Sequence, residues 1–421
     1  MDMSDAPSAM TKQTQYKGQA PVLVFGSDTS AFLGTVRSLG RKGLGVHSAG
    51  CEAHMPASAS RYIVADHAVP FYENDGREWV ARVRELVAQH GFGLLVPTSD
   101  ASLAQLAAHR GELGAEVAAP QDAALELLTD KWATREAALE LGIPVPRAQL
   151  VDGDSSASRI AEELGFPLVL KSCHSYRLGE RIQKSGVALI ESEAQLEAAL
   201  ARAQDAMVER FIPGFCKGVS VLARDGEVLQ AFQHRRLRQE HVTGPSSWRI
   251  SEALDPRLLD AARKLVERSG LTGVAMFEFR FDEAGEDFAL LEVNPRFWGS
   301  MQLAADAGAD YPALLHAMLL EDAAPGELFA YPEGLQKRSV WGEFDALSQS
   351  WSEAGTLPAK TRALKRLSAF MVALASKDGF DSYAPDDPAP FLRERAQVLG
   401  RFRARLTGRE PLGGRGTGRE T

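Results

Sequence analysis

Cysteine is scarce: Cys51, Cys173 and Cys216 are the only three in 421 residues. An odd number of widely spaced thiols makes neither a disulfide framework nor a zinc cluster, and it points to a reducing compartment, the cytoplasm. Positive charge is also in deficit. Lys and Arg total 47 against 56 Asp and Glu, a net −9, which argues against a dedicated nucleic-acid binder because phosphate neutralisation needs net basic surface. No apolar run approaches the ~20 residues of a membrane span. Residues 1–20 carry acids and no apolar core, so they read as a disordered lead-in rather than a secretory signal. The turn after VLVFG lacks GxGxxG, its glycines Gly26 and Gly34 being eight apart, and the dinucleotide fingerprint is therefore missing. There is no convincing Ser/His/Asp or Cys/His arrangement either. What remains is ordinary for a globular chain, 45% hydrophobic and 24% charged, with length enough for two or three domains.

From Pro21 to about Pro120 short apolar runs (VLVFG, LGVHSAG, RYIVAD, GLLVPTSD) alternate with amphipathic stretches, which predicts an α/β domain built on a parallel sheet. Ser27, Asp28, Thr98, Ser99 and Asp100 fall at the carboxyl ends of its strands, where ligands bind in such sheets, although loop capping accounts for them equally well. A helix is expected from Thr129-Asp130 to Gly142. Beyond it the texture is α+β: the strands FPLVLKS and AMVERFIPG, a hairpin turning at Asp225-Gly226, the helix PRLLDAARKLVERSG, and a second hairpin, VAMFEFRF–DEAGED–FALLEVN. A domain boundary near 120–130 follows. After about residue 330, KTRALKRLSAFMVALAS and PFLRERAQVLGRFRARL read as helices, and the Gly- and Arg-rich end as a disordered tail.

The second hairpin carries the clearest chemistry. With its turn centred on Gly285, Glu278 and Glu292 face one another, and Asn294 points the same way because strand side chains alternate. Opposed like charges about 5 Å apart are destabilising. Two carboxylates and an amide oxygen between apolar flanks call for a hard divalent cation, Mg²⁺ first. A one-residue slip of register would separate them. Lys131 at a helix start and Lys171 on an apolar strand suit an anion, though a solvated lysine or a snorkelling one explains each singly. Glu209 precedes a Pro213-Gly214 break where a strand would stop pairing and expose backbone donors and acceptors to a purine edge.

Asp130-Lys131, Leu170-Lys171, Glu209-Arg210-Phe211-Ile212, Phe277-Glu278-Phe279 and Glu292-Val293-Asn294-Pro295-Arg296 occur in an order and at spacings that resemble the ATP-grasp superfamily. Within it the chain is similar to carboxylate–amine ligases such as biotin carboxylase and the large subunit of carbamoyl-phosphate synthase, over roughly residues 21–320. RRLR (235–238) and NPRFWGS (294–300) look like those of a bacterial subgroup with uncertain substrates. The resemblance implies a Rossmann-like domain over 21–125 and an ATP-grasp domain over 126–330 with a lid subdomain at about 145–210. Composition and pattern add the disordered lead-in over 1–20, a helical extension over 331–407 and a disordered tail over 408–421. It implies that Lys131 and Lys171 meet ATP phosphates and that the backbone of Glu209, Phe211 and Ile212 reads adenine. Glu278, Glu292 and Asn294 would hold Mg²⁺ (or Mn²⁺), and Arg296 would steady the acyl phosphate. Two positions depart from the family pattern. The loop CHSYRLGERIQKSG is basic rather than glycine-rich, so Arg177, Arg181 or Lys184 would supply charge to the phosphates, and Cys216-Lys217 stand where relatives often place a ribose-binding acid.

The activity implied is ATP-dependent ligation of a small-molecule carboxylate to an amine through an acyl phosphate, with release of ADP. A phosphotransferase or a non-catalytic ATP-binding protein are the alternatives. His234, Arg235, Arg236, Arg238 and Arg249 are candidates for an acidic substrate, with a solvated charged strand as the plainer expectation. A homodimer is compatible with the sequence.

Overall fold

The computed structural model describes residues 19–27, 29–153, 155–176, 178, 187–239, 246–323, 326, 330–352, 356–376 and 379–406. Most of the lead-in, the tail, Asp28, Arg177, Arg181 and Lys184 lie outside them. Five short apolar segments pair in parallel: β1 (Val22–Phe25), β2 (Val46–Ala49), β3 (Ile63–His67), β4 (Leu94–Pro97) and β5 (Glu116–Val117), in the order β3-β2-β1-β4-β5. Alternation along β1 explains the two helical layers. Val22 and Val24 join the core of Phe32, Leu33 and Val36 from the helix Ser30–Arg41, while Leu23 and Phe25 join Trp79, Val83 and Leu86 from the helix Arg77–His90. Thr29 caps the first of these helices, accepting from the Phe32 N–H at 3.1 Å. Gly34 is a packing glycine, since a Cβ there would lie 2.9 Å from Met301.

Asp130 caps the helix Lys131–Glu140 by accepting from Trp132 and Ala133, as expected. The helix before it, Asp122–Thr129, escaped the sequence pattern. Its Ala124 and Leu128 pack in the core of the second half of the chain, which places the structural break just before it. Four strands then form a small antiparallel sheet, β6 (Ala148–Leu150), β7 (Leu168–Ser172), β8 (Ala188–Ile190) and β9 (Ala206–Arg210), ordered β6-β9-β7-β8. The central sheet is antiparallel and runs β14-β13-β10-β11-β12-β15. Its strands are β10 (Phe215–Arg224), β11 (Glu227–Gln239), β12 (Ser246–Glu252), β13 (Gly273–Phe281), β14 (Phe288–Asn294) and β15 (Gln336–Arg338). One face, with Val219, Val221, Phe277 and Phe279, packs against Leu258, Ala262 and Leu265 of the helix Pro256–Ser269. The other face is apolar at Leu222, Phe232 and Val274, which join the core of the helix Ser30–Arg41, and polar around Glu278, Glu292 and His234.

β15 carries the central sheet past residue 330, where the sequence suggested an end. The helices Val340–Ser352, Leu357–Ser376 and Ala389–Leu406 follow, around Phe344, Phe370, Phe380 and Phe391. This terminal layer is tied to the first domain by a buried ion pair. Arg37 donates from Nε to Asp387 at 2.9 Å and from its other nitrogens to the carbonyls of Asp381, Ser382 and Asp387. Asp387 also accepts from the Ser60 hydroxyl (2.8 Å) and the Arg61 N–H (2.9 Å). No helix among the described residues is long and apolar enough to cross a membrane.

Breaking a buried, fully bonded pair leaves an uncompensated charge. Asp387→Ala is expected to lower the unfolding free energy by about 3 kcal/mol or more. Removing the half-exposed partner of Arg41 with Asp386→Ala costs about 1 kcal/mol or less. Urea unfolding of the two variants checks the contrast.

Candidate functional site

The register of β13 and β14 decides what the polar face can do. Phe281 pairs with Phe288 and Phe279 with Leu290, a ladder that, continued without interruption, would set Glu278 opposite Leu291. A one-residue irregularity intervenes, and Glu278 pairs with Glu292 instead, followed by Met276 with Asn294. The expected opposition of the two glutamates therefore holds, through a bulge that the sequence pattern did not disclose. The carbonyl of the extra residue, Leu291, accepts from Lys171 Nζ at 3.1 Å, so a lysine of the small sheet meets the central sheet at the point of irregularity.

One row of paired residues crosses the sheet on this face: Glu292, Glu278, Gly218, His234 and Ser251. Gly218 is the gap in it. A Cβ there would lie 2.4 Å from the His234 ring, which takes the space a side chain would need. A cavity of about 310 Å³ opens here, lined by His234, Arg236, Arg249, Glu278, Glu292, Asn294, Arg296 and Trp298 among others.

Cations surround the carboxylates. Arg236 pairs with Glu278. Lys131 Nζ lies 3.9 Å from Glu292 and donates to Ser175 Oγ at 2.7 Å. Arg296 grips Asp100 through two bonds, 2.5 and 2.9 Å, and donates to Asn294 Oδ1 at 3.2 Å. Asn294 in turn donates to Glu292 at 3.4 Å. Burial pushes the Glu278 carboxyl above its ordinary range; Arg236 opposes that shift without cancelling it, and Glu292 adds to it. Burial acts in the same sense on Glu292, but Lys131, Lys171, the Asn294 hydrogen bond and Arg236 together outweigh it and hold this carboxyl low. Two opposed carboxylates are thus pushed apart in acidity by their surroundings.

Lys171, left open between snorkelling and meeting an anion, is buried and forms a 2.9 Å ion pair with Glu209, itself buried. The backbone of Glu209 lies in the middle of the small sheet, paired on both sides. The Phe211 N–H donates to Pro167 O at 3.0 Å and the Ile212 carbonyl accepts from Arg280 at 2.5 Å, so these groups are engaged within the protein rather than exposed as the strand exit suggested. The plainer expectation for the basic strand fails at three positions. His234 and Arg249 are buried and line the cavity with Arg236, whereas Arg235 and Arg238 turn to Glu252 and Glu343. Alternation along β11 separates Arg235 from His234 and Arg236, while Arg238 departs from it at a register irregularity after Arg236. At the parallel sheet, capping wins: Thr98 donates to Phe25 O, Ser99 caps the helix Asp100–Ala108, and Asp100 serves Arg296. Gly218 was missed, although a lone glycine inside a strand signals close approach.

The family model described as "ATP-grasp in the biosynthetic pathway with Ter operon" matches residues 202–339. The D-alanine–D-alanine ligase of Pseudomonas putida (strain GB-1) is 30% identical over 217 residues, covering 47% of this chain and 65% of the ligase. The chain therefore spans just under two-thirds of that relative. The biotin carboxylase of Campylobacter jejuni, solved with a β,γ-ATP compound, superposes with a TM-score of 0.58 at 18% identity, covering 75% of this chain and 74% of that one. The L-amino acid ligase of Bacillus licheniformis gives 0.56 at 18%, covering 72% and 74%. Residues 202–339 thus match an ATP-grasp family model, and the chain shares the fold of these solved structures. Its two sheets are the ATP-grasp fold, and the parallel sheet ahead of them is the Rossmann-like domain expected from the resemblance.

Gly218 has ordinary backbone geometry, so a methyl group there acts by volume alone. Gly218→Ala is expected to displace His234 and lower the thermal midpoint by several degrees, as measured by scanning calorimetry. His234 gives an independent check. Burial, with Arg236 and Arg249 nearby, pushes its imidazole down to about 3. The unfolded chain therefore takes up a proton near pH 6.5 that the folded protein refuses, and stability falls as pH drops from about 6.5 toward 3. His234→Gln should flatten that limb in urea titrations at successive pH values.

Proposed function

We propose that this protein is an ATP-dependent, ADP-forming ligase that activates a carboxylate as an acyl phosphate and joins it to an amine. The observation that carries the reading is the pair Glu278–Glu292, opposed on one face of the central sheet and ringed by Lys131, Lys171, Arg236 and Arg296. The names of its relatives, D-alanine–D-alanine ligase and L-amino acid ligase among them, agree with it and favour ligation over phosphotransfer or regulation.

A hard divalent cation fits the donor set. Two buried carboxylates repel one another, Glu278 is already pushed up, and the third donor is an amide oxygen, a set that suits Mg²⁺ first and Mn²⁺ second. Glu278, Glu292 and Asn294 would hold the ion, which when bound supplies charge neutralisation at the phosphates. Arg236 would then be freed from Glu278 and turn to the cavity, where a substrate carboxylate is its natural partner. Arg249 and His234 line the same wall, and Arg249 Nε, His234 Nδ1 and Ser300 Oγ are buried polar atoms without a hydrogen bond. Lys131 and Lys171 neutralise the phosphates, and Arg296, oriented by Asp100, steadies the transferred phosphoryl group. Adenine would be read at Glu209–Ile212 by backbone groups other than the Phe211 N–H and the Ile212 carbonyl, and Lys184 would supply charge to the phosphates. The carboxylate oxygen takes the γ-phosphoryl, ADP leaves, and the amine then displaces phosphate from the acyl carbon. We assign the lid to about 145–210; its closure keeps water from the labile acyl phosphate. The buried thiols Cys51, Cys173 and Cys216 suit a reducing cytoplasm.

The test is a coupled ADP-release screen of the purified protein against panels of acids and amines, with mass spectrometry of each hit. Glu278→Gln and Glu292→Gln should each lower substrate-dependent ADP release by about a hundredfold or more while the thermal midpoint stays within a few degrees. Wild-type turnover in either variant would overturn the assignment of the pair.

A further inference from the structure

The parallel sheet carries a second cluster that the ligase chemistry does not use. His47 sits on β2 and His67 ends β3. β2 and β3 pair His47 with Ala65, across an irregularity beside Val64, so His67, two residues beyond Ala65, points to the same face as His47. The helix Arg77–His90 covers that face, and Gly91, in the left-handed region at φ 67°, stops it so that His90 is its last residue. His47 Nδ1 and His67 Nε2 are 2.7 Å apart, and the His90 ring centroid lies 5.1 Å from that of His47 and 4.7 Å from that of His67. One ring nitrogen from each of the three lies within 4.8 Å of the others. Phe92 closes one side, edge-on to His47 at 4.9 Å.

We propose that His47, His67 and His90 form a binding site for a first-row transition-metal ion, with Zn²⁺ the best fit. Three imidazoles are borderline-soft ligands that suit zinc, copper and nickel, and they are the wrong chemistry for magnesium or calcium. The rings are half-buried. Burial and the neighbouring imidazoles lower the pKa of His47 to about 4, and burial with His90 and Arg82 lowers that of His67, so both rings are neutral at neutral pH and each carries one ring-nitrogen lone pair. Arg82, the cation nearest His67, is itself paired with Glu85 at 2.7 Å. The carboxyl end of the helix Arg77–His90 adds the negative end of its dipole beside His90. A four-coordinate zinc at about 2.0–2.1 Å from each nitrogen needs them about 3.3 Å apart. The His47–His67 contact would open by several tenths of an ångström, within the reach of side-chain rotation. Three protein ligands leave one position for water or an exogenous donor. The ion would clamp the end of the helix to the two outer strands.

The test uses the full chain, stripped with chelator and held in excess Mg²⁺ and ADP so that the carboxylate site is filled. Titration with Co²⁺ is expected to give one equivalent with the intense visible bands of a tetrahedral nitrogen site, displaced by Zn²⁺, and Zn²⁺ should raise the thermal midpoint. His67→Ala and, separately, His90→Gln at the helix end should each weaken uptake by at least about tenfold and remove the bands. ADP binding unchanged in the variants certifies that they are folded. Wild-type protein that takes up no Co²⁺ or Zn²⁺, or variants that keep both stoichiometry and bands, would overturn the site and leave an imidazole hydrogen bond in its place.

Discussion

Repulsion between two glutamates organises this molecule. Opposed carboxylates on adjacent strands are unfavourable, and the chain sets Glu278 against Glu292 on a buried face and then spends a bulge, two lysines and two arginines on the consequence. The cations arrive from different places. Lys131 starts a helix, Lys171 lies in the small sheet, Arg236 lies in the central sheet, and Arg296 follows the hairpin and is held by a carboxylate of the parallel-sheet domain. Each part of the fold is positioned with respect to the same two oxygen-bearing side chains. Without them the polar face of the central sheet would have no reason to be buried.

The same logic explains why Gly218 matters. Antiparallel pairing places five residues in line across the sheet, and four of them carry polar side chains. The missing side chain in the middle makes room for the His234 ring, which lines the hollow. Arg236 reaches Glu278 across the same strand.

Much of this was legible in the residues. Alternating apolar runs gave the parallel sheet, and symmetric spacing about Gly285 brought Glu278 and Glu292 together. That inference reached the right pair by a partly wrong route. The ladder near the turn is offset by half a residue from that centre, and the irregularity at Leu291 restores the opposition. Bulges depend on tertiary contacts, here the Lys171 ammonium on the Leu291 carbonyl, and a single strand's pattern does not encode them. Lys171 could not be resolved from its own neighbours because its partner, Glu209, lies 38 residues on in the sequence. The helix Asp122–Thr129 was lost because its buried residues face a core assembled only later in the chain. The basic strand was misjudged for a related reason. Charge runs usually face solvent, and here tertiary burial divides the run by alternation, His234 and Arg236 inward, Arg235 outward.

The wall of the chamber opposite the glutamates rests on the far end of the chain. Arg249 is buried, and besides donating to Gly299 O and Ser246 O it forms a 3.0 Å ion pair with Asp381, from the segment between the last two helices. Glu343, on the helix Val340–Ser352, accepts from the Ser247 hydroxyl. A shortened chain that stopped after the central sheet would keep every residue proposed for phosphate and metal, yet Arg249 would lose its carboxylate and retain only the carbonyls of Gly299 and Ser246. The C-terminal helices are therefore masonry for the wall that carries Arg249.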